Sequence, residues 1–319
     1  MGIDTLSKDD PRLFRMGDAY AFVTYPTAGA VITREGAVLI DGPMAPAVAL
    51  RWRNFVREHA EIRYHVICEH HEDHTACGSV IEADLLVTSE VTALEMSSTS
   101  ARSDEQMRRT LRGWGRNCDF DDALVAGYRI RRPNLTYCNR LSFDLGGKRF
   151  VIFEAPGHTR GSSIVHAVDD RVAFVADNVF PGTCAPPAQS ANPWAWLQTL
   201  GTLEALDVDW YVPGHGDPMT RDCIGDQRSA LLELIDRVRD LRRKGWSREQ
   251  VVAEGLGERR LRPRHSGSDD TPQALPLVAE LIARNSLGNI YDYLDEHPSG
   301  HPFARRDPCV DYDSEIEEC

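Results

Sequence analysis

Seven side chains able to bind a metal stand where strand-like runs of this chain give way to loops. Glu69, His71, Asp73 and His74 share one hexapeptide, Glu69-His70-His71-Glu72-Asp73-His74. His158 follows Pro156-Gly157, Asp177 follows Phe174-Val175-Ala176, and His215 follows Pro213-Gly214. A fold that delivers this many imidazoles and carboxylates to strand ends builds a two-metal site, and the rest of the chain is read around it.

The surrounding pattern alternates between strand and helix. Ala19 to Tyr25, Ala30 to Thr33 and Ala37 to Ile40 read as successive strands, with Arg34-Glu35-Gly36 as a hairpin turn. Val48, Leu50, Trp52, Phe55 and Val56 have helical spacing, which predicts a helix from Ala47 to His59 with Pro46 at its start. Tyr64 to Cys68 is a short strand entering the Glu69 segment, and Leu85 to Thr88 is another. Val91 to Arg112 reads as helical and Gly113 to Asn134 as irregular. The whole of 98–138 has the character of a lid or insert. Strands resume at Leu141 to Leu145, Arg149 to Phe153, Ser163 to Val168 and Val172 to Val175, the first two joined through Gly146-Gly147. A helix from Trp194 to Leu206 and a strand from Trp210 to Val212 follow. This order predicts an α/β layered domain over residues 1–225. Residues 226–296 read as a helical extension: Asp226 to Arg243, Ser247 to Glu254 with a Ser247/Gln250 capping box, and Gln273 to Leu294. The apolar stripe of the last helix needs burial against the main domain. Residues 297–319 form an acidic, solvated tail with no base after Arg306.

Charge excludes one function class. Lys and Arg number 36 against 49 Asp and Glu, a net charge of −13. No basic field exists to displace phosphate counterions, so nucleic acid is not an expected partner. Residues 1–11 lack a secretory apolar segment, and no apolar run approaches the ~20 residues that span a bilayer. The eight cysteines are scattered without a C-x-x-C pair, so neither a zinc ribbon nor a disulfide framework is expected. The expected compartment is the cytoplasm.

Ile67-Cys68-Glu69-His70-His71-Glu72-Asp73-His74 resembles the H-x-H-x-D-H signature of the metallo-β-lactamase superfamily. Further matches follow in order, covering residues 15–220. Ile40-Asp41-Gly42 matches the strand-end aspartate that buttresses the motif loop. Pro156-Gly157-His158-Thr159, Phe174-Val175-Ala176-Asp177 and Val212-Pro213-Gly214-His215-Gly216 match the later ligand motifs. The resemblance implies an αββα sandwich and two divalent metal ions, zinc first among them. It places Glu69, His71 and His158 on one ion and Asp73, His74 and His215 on the other, with Asp177 bridging. Asp41 becomes a hydrogen-bond acceptor behind a ligand histidine. Glu69, His71 and Asp73 alternate along an extended loop and so project the same way, with the loop turning at His74.

Glu69 departs from the family, which usually has histidine there. A carboxylate adds a hard oxygen donor and shifts preference towards iron or manganese. Its composition is similar to that of flavodiiron sites, although their glutamate stands at the position of His71. His70 and Glu72 occupy the variable positions of the motif, His70 as a candidate pocket group.

The resemblance implies hydrolysis of an ester, thioester, lactone or amide by a metal-bridging hydroxide, in the manner of glyoxalase II. Metal binding lowers the pKa of water from about 15.7 to around 7, and Asp73 is placed to carry the proton. No G-x-S-x-G elbow competes. The alternative is an iron oxygenase or dioxygenase using O2, and the third reading is a binding protein with a vestigial site. The expected partner is a small-molecule substrate, with a homodimer left open. Trp114, Tyr128 and Tyr137 are candidate pocket walls; Trp194 and Trp196 are walls or core.

Overall fold

Short runs of alternating or continuously apolar residues pair into two sheets that pack face to face. The computed structural model describes residues 6–99, 104–114, 122–129, 131–181, 192–254 and 275–297. The first sheet runs in chain order: β1 (Leu13–Met16), β2 (Ala19–Phe22), β3 (Ala28–Thr33), β4 (Gly36–Ile40), β5 (Ile62–Val66), β6 (Leu85–Ser89) and β7 (Leu135–Tyr137). β1 to β4 form an antiparallel meander; β5, β6 and β7 each join in parallel. The second sheet has the order β12 (Trp210–Pro213), β11 (Val172–Ala176), β10 (Ser163–Ala167), β9 (Lys148–Glu154) and β8 (Arg140–Leu145). Its strands are antiparallel except for the parallel pair of β11 and β12.

The inner faces bury Val31, Val38, Ile40, Val66 and Val87 against Phe150, Ile152, Val165, Phe174 and Val212. Outside the first sheet, α1 (Pro46–Arg57) buries Trp52, Phe55 and Val56 against Phe22 and Leu39. Trp52 lies between Phe22 and Phe55, with ring centroids 5.7 and 5.6 Å away. The outer face of the second sheet is covered by α6 (Pro193–Glu204), α7 (Asp222–Arg243) and α9 (Leu275–Glu296), in a core holding Val175, Trp196, Leu234, Leu287 and Ile290. The result is the expected αββα sandwich with a helical C-terminal portion. The short α8 (Arg248–Glu254) opens with the reciprocal bonds read from Ser247 and Gln250: Ser247 N–H donates to Gln250 Oε1, and Gln250 N–H to Ser247 Oγ.

Several expectations change. β1 and β7 are absent from the sequence reading because three or four residues carry too little periodicity to show. Gly113 to Asn134 is not uniformly irregular. α4 (Asp104–Trp114) and α5 (Asp122–Gly127) bury Met107, Leu111 and Val125 together with Met44 and Ala76. The strand expected from Tyr64 to Cys68 ends at Val66, because the Cys68 carbonyl turns to accept the Ser163 N–H of the opposite sheet, 2.9 Å away. Cys138 is disulfide-bonded, a bridge that the scattered cysteine pattern, which predicts no disulfide framework, does not mark. Residues 255–274 and the tail from 298 onward lie outside the described residues. Among the described residues no helix is long and apolar enough to cross a membrane.

Candidate metal centre

Strand ends from both sheets meet at one edge of the sandwich. β4 ends into Asp41, β5 leads into the Glu69 segment, β11 into Asp177, and β12 into His215. His158 comes from the loop between β9 and β10. Asp41 and Ala176 adopt left-handed backbone, φ 48° and 47°. Such turns cost about 1–2 kcal/mol for residues other than glycine. They bend the chain sharply just as it leaves each sheet, and strain of this kind collects at functional sites.

The motif loop is not extended throughout. His71 caps a single helical turn, α2 (Glu72–Thr75), and its carbonyl accepts the N–H groups of His74 and Thr75. That turn, rather than simple alternation, sets Asp73 and His74 apart from Glu69 and His71.

Two donor sets result. Glu69, His71, His158 and Asp177 form one; Asp73, His74 and His215 form the other, with the donor atoms of each set within 4.8 Å of one another. Glu69 Oε1 is 2.9 Å from His71 Nδ1 and 3.0 Å from His74 Nε2. Asp177 Oδ1 is 3.4 Å from His74 Nε2, while its Oδ2 is 3.4 Å from His215 Nε2 and 3.7 Å from His158 Nε2. Asp73 Oδ2 lies 3.3 Å from His215 Nε2. Glu69 Oε2, His74 Nε2 and Asp177 Oδ1 are buried without a hydrogen-bond partner. Buried polar atoms are rarely left so. Several inward-facing donors with unfilled valence fit a bound cation.

The electrostatics agree. Burial opposes ionisation of Asp73, but His74 and His215 overcome it and hold the carboxyl down to about 2. Asp177 is likewise buried, yet His215 and His74 keep it well below the usual carboxylate range. Burial disfavours charge on His215, but Asp177 and Asp73 push it up to about 9. Burial also opposes charge on His74, against which Glu69, Asp41, Asp177 and Asp73 raise its pKa well above normal. His158 moves the other way, lowered chiefly by burial, which leaves a neutral lone pair. A field that draws protons onto buried imidazoles equally favours divalent ions.

Behind the donors is a scaffold of hydrogen bonds. Asp41 Oδ1 accepts the Cys68 N–H at 2.8 Å, and its Oδ2 lies 2.9 Å from His74 Nδ1. This fixes Nδ1 as the protonated nitrogen and aims Nε2 at the centre. Asn178, unnoticed in the sequence, braces the His158 loop. Its Oδ1 accepts the His158 N–H, its Nδ2 donates to the Ala155 carbonyl, and its own carbonyl accepts the Trp196 indole N–H. The only hint was its place directly after Asp177. Tyr25 and Phe180 flank the His215 ring at 4.4 and 5.4 Å between centroids, and Thr27 N–H donates to the Gly214 carbonyl. No sequence signal marked these three. Asn178→Ala is expected to lower metal affinity 10–100-fold, the usual range for groups that hold a ligand in place. A chelator-competition titration measures it, and an unchanged affinity removes Asn178 from the scaffold.

His65 supplies a pH test independent of the donors. It is fully buried on β5, with Nε2 donating to the Asp41 carbonyl at 3.0 Å. Burial outweighs that bond and lowers its pKa from 6.5 to about 4. Between those values the unfolded chain binds the extra proton and the folded chain does not, so stability falls as pH drops from about 6.5 to 4. The full loss is about 3 kcal/mol at ~1.36 kcal/mol per pKa unit. Urea unfolding of the wild type and His65→Gln over this range should show a shallower pH dependence in the variant; parallel curves would refute the assignment.

The other candidates fall variously. His70 Nδ1 pairs with Glu95 Oε2 of α3 (Glu90–Thr99) at 3.0 Å, and its ring lies 4.6 Å from that of His71. Tyr128 is buried with Met107, Leu111 and Val125, a cluster that also touches Tyr25. Tyr137 belongs to the core between the sheets, its hydroxyl bonded to Ser163 Oγ at 2.6 Å. The structure therefore does not bring Tyr137 to the donors. Trp114 ends α4, and its side chain lies outside the described residues. Trp194 and Trp196 are core residues of α6. A cleft lined by Arg34, His59, Arg63 and Asp84 opens at the opposite end of the first sheet, where β4 and β5 begin, away from every donor.

Comparison with known proteins gives a consistent picture. The metallo-beta-lactamase superfamily model matches residues 24–215. The alpha subunit of 2,4-dinitroanisole O-demethylase from Nocardioides sp. (strain JS1661) is 27% identical over 190 residues, 56% of this chain and 49% of that protein. A hydroxyacylglutathione hydrolase from Fuscovulum blasticum is 27% identical over 154 residues, 45% of this chain and 60% of that protein. The chain thus spans about half to three fifths of these curated relatives. Among solved structures, the sec-alkylsulfatase Pisa1 from Pseudomonas sp. superposes with a TM-score of 0.64 at 17% identity, over 92% of this chain and 52% of that one. A metallo-beta-lactamase from Pontibacter korlensis gives 0.54 at 17% identity, over 69% and 98%. At that identity the likeness speaks for the fold.

Proposed function

This chain belongs to the metallo-beta-lactamase superfamily, and from that premise we propose that it is a metal-dependent hydrolase of small molecules working with two divalent ions. The observation that carries this reading is the pair of donor sets meeting at Asp177, with buried donor atoms that no protein group satisfies. Glu69, His71 and His158 would hold one ion, Asp73, His74 and His215 the other, and Asp177 both. Bound there, the ions supply Lewis-acid polarisation of a carbonyl and acidification of a water near neutral pH.

The chain's own residues do the rest. Asp41 holds the Nδ1 proton of His74, so Nε2 stays free to ligate. Tyr25 and Phe180 pack against the His215 ring, tilted and edge-on respectively. Asp73 is ionised at neutral pH and, with its carboxyl near 2, holds a proton only weakly. That anionic state suits a carboxylate held among His74 and His215 as a metal donor. The hydroxyacylglutathione hydrolase relatives favour thioesters, with esters and lactones next. The O-demethylase relative adds activated aryl methyl ethers to the substrates worth testing.

Glu69 supports a second reading. An oxygen-rich donor set suits iron, and iron in this fold would admit oxygen-dependent chemistry. Elemental analysis of protein grown with both zinc and iron, followed by turnover of a thioester, ester, lactone and aryl-ether panel with and without O2, separates the two. Anaerobic turnover supports hydrolysis; iron with obligate O2 consumption replaces it by the oxygenase reading. Failure to bind any divalent ion overturns both.

A further inference from the structure

We propose that Glu69 bridges the two ions, so that the centre is held by two shared carboxylates, Glu69 and Asp177, instead of one. The inference rests on the two-metal reading above and concerns how this chain's own residues meet the ions.

Glu69 Oε1 stands almost equally far from a nitrogen of each donor set: 2.9 Å from His71 Nδ1 and 3.0 Å from His74 Nε2. Ligand atoms held ~2.0–2.2 Å from one ion, at angles of roughly 90–109°, stand roughly 2.8–3.6 Å apart. Both distances therefore have the spacing of neighbours on a common ion, and the two nitrogens belong to different sets. Glu69 Oε2 has no hydrogen-bond partner, and the residue is fully buried. Among the described residues no lysine or arginine pairs with it; its ion-pair partners are His71 and His74. Both partners of Glu69 Oε1 are therefore imidazoles of the donor sets themselves. Its second oxygen is an unused donor inside the cluster.

A histidine at this place offers one ring nitrogen to the centre and so serves one ion. A carboxylate offers two oxygens and can serve two. Glutamate at position 69 therefore changes the connectivity of the centre as well as its charge. It gives each ion one more hard oxygen donor, which selects manganese or iron at both positions rather than at one. It also makes the two positions depend on each other.

The test uses the full chain, stripped of metal and refilled with Mn2+ alone. Bound manganese is measured against free manganese, with low-temperature EPR of the filled protein. The wild type should take up two ions together and give an exchange-coupled spectrum. Glu69→His and Glu69→Gln should each weaken both positions at least tenfold, with thermal unfolding of the metal-free variants confirming that they are folded. A variant that keeps one ion at wild-type affinity and loses the other overturns the bridge and leaves the two-metal reading intact. Magnetically isolated six-line spectra from a filled wild type overturn it without recourse to any variant. A wild type that binds no divalent ion overturns the two-metal reading itself.

Discussion

Asp177→Asn is expected to remove both of the proposed ions and to lower kcat/KM by about 10^3-fold or more, equivalent to ~4 kcal/mol of lost transition-state stabilisation. The expectation follows from position. Asp177 Oδ1 faces His74, while Oδ2 faces His215 and His158, so a single carboxylate addresses donors of both sets. Asparagine keeps the shape but removes the charge, and its amide nitrogen cannot ligate. Of the other donors on the second sheet, His158 and His215 each belong to one set, so no other single loss on that sheet should reach both ions equally. The variant is assayed by elemental analysis and by turnover on whichever substrate the wild type accepts. Two ions retained with undiminished turnover would remove Asp177 from the centre and with it the proposed division of ligands.

Gly214→Ala should be nearly as damaging although it removes no donor. A Cβ at this position would overlap Asp177 Oδ1 and come within 2.9 Å of His74 Cε1 and 3.0 Å of the Ala176 carbonyl carbon. The backbone cannot retreat easily, since Gly214 N–H donates to the Ala176 carbonyl and its own carbonyl accepts from Thr27. Overpacking at such a point costs about 1–3 kcal/mol of stability. Here it also displaces Asp177 and His74 from their partners, so metal affinity should fall by more than tenfold. Gly225→Ala on α7 is the control, because a Cβ there meets nothing within 4 Å. Alanine at that helical site should stabilise by roughly 0.5–1 kcal/mol and leave metal binding unchanged. Equal behaviour of the two variants, read by unfolding midpoints and metal titration, would show that the contact at Gly214 is not tight.

Several of the candidate donors, and the aspartate behind His74, were legible because each closely follows a recognisable strand: Ile40 precedes Asp41, Ala176 precedes Asp177, and Pro213-Gly214 precedes His215. Hydrophobic alternation marks a strand, and a polar residue at its end stands out. The supporting residues were not legible, for a physical reason. Asn178, Thr27, Tyr25 and Phe180 act through contacts between segments far apart in the chain, such as Thr27 with Gly214. No local period encodes such a pairing. Tyr137 misled because an aromatic residue in a loosely patterned region resembles a pocket wall. Its place is set by the three-residue β7 and a hydroxyl partner on β10. The helical turn at Glu72–Thr75 was hidden by its length, since four residues cannot display a helical repeat.

The donors are divided between the sheets: Glu69, His71, Asp73 and His74 leave the first, while His158, Asp177 and His215 leave the second. Ions held by such a set act as a cross-link, fastening one half of the sandwich to the other across a long loop of chain. Neither sheet can then peel away without first giving up its cargo. At a free concentration one hundred times the dissociation constant, each site adds about 2.7 kcal/mol to the unfolding free energy. A chelator becomes a denaturant in effect, and the melting temperature becomes a gauge of how full the centre is.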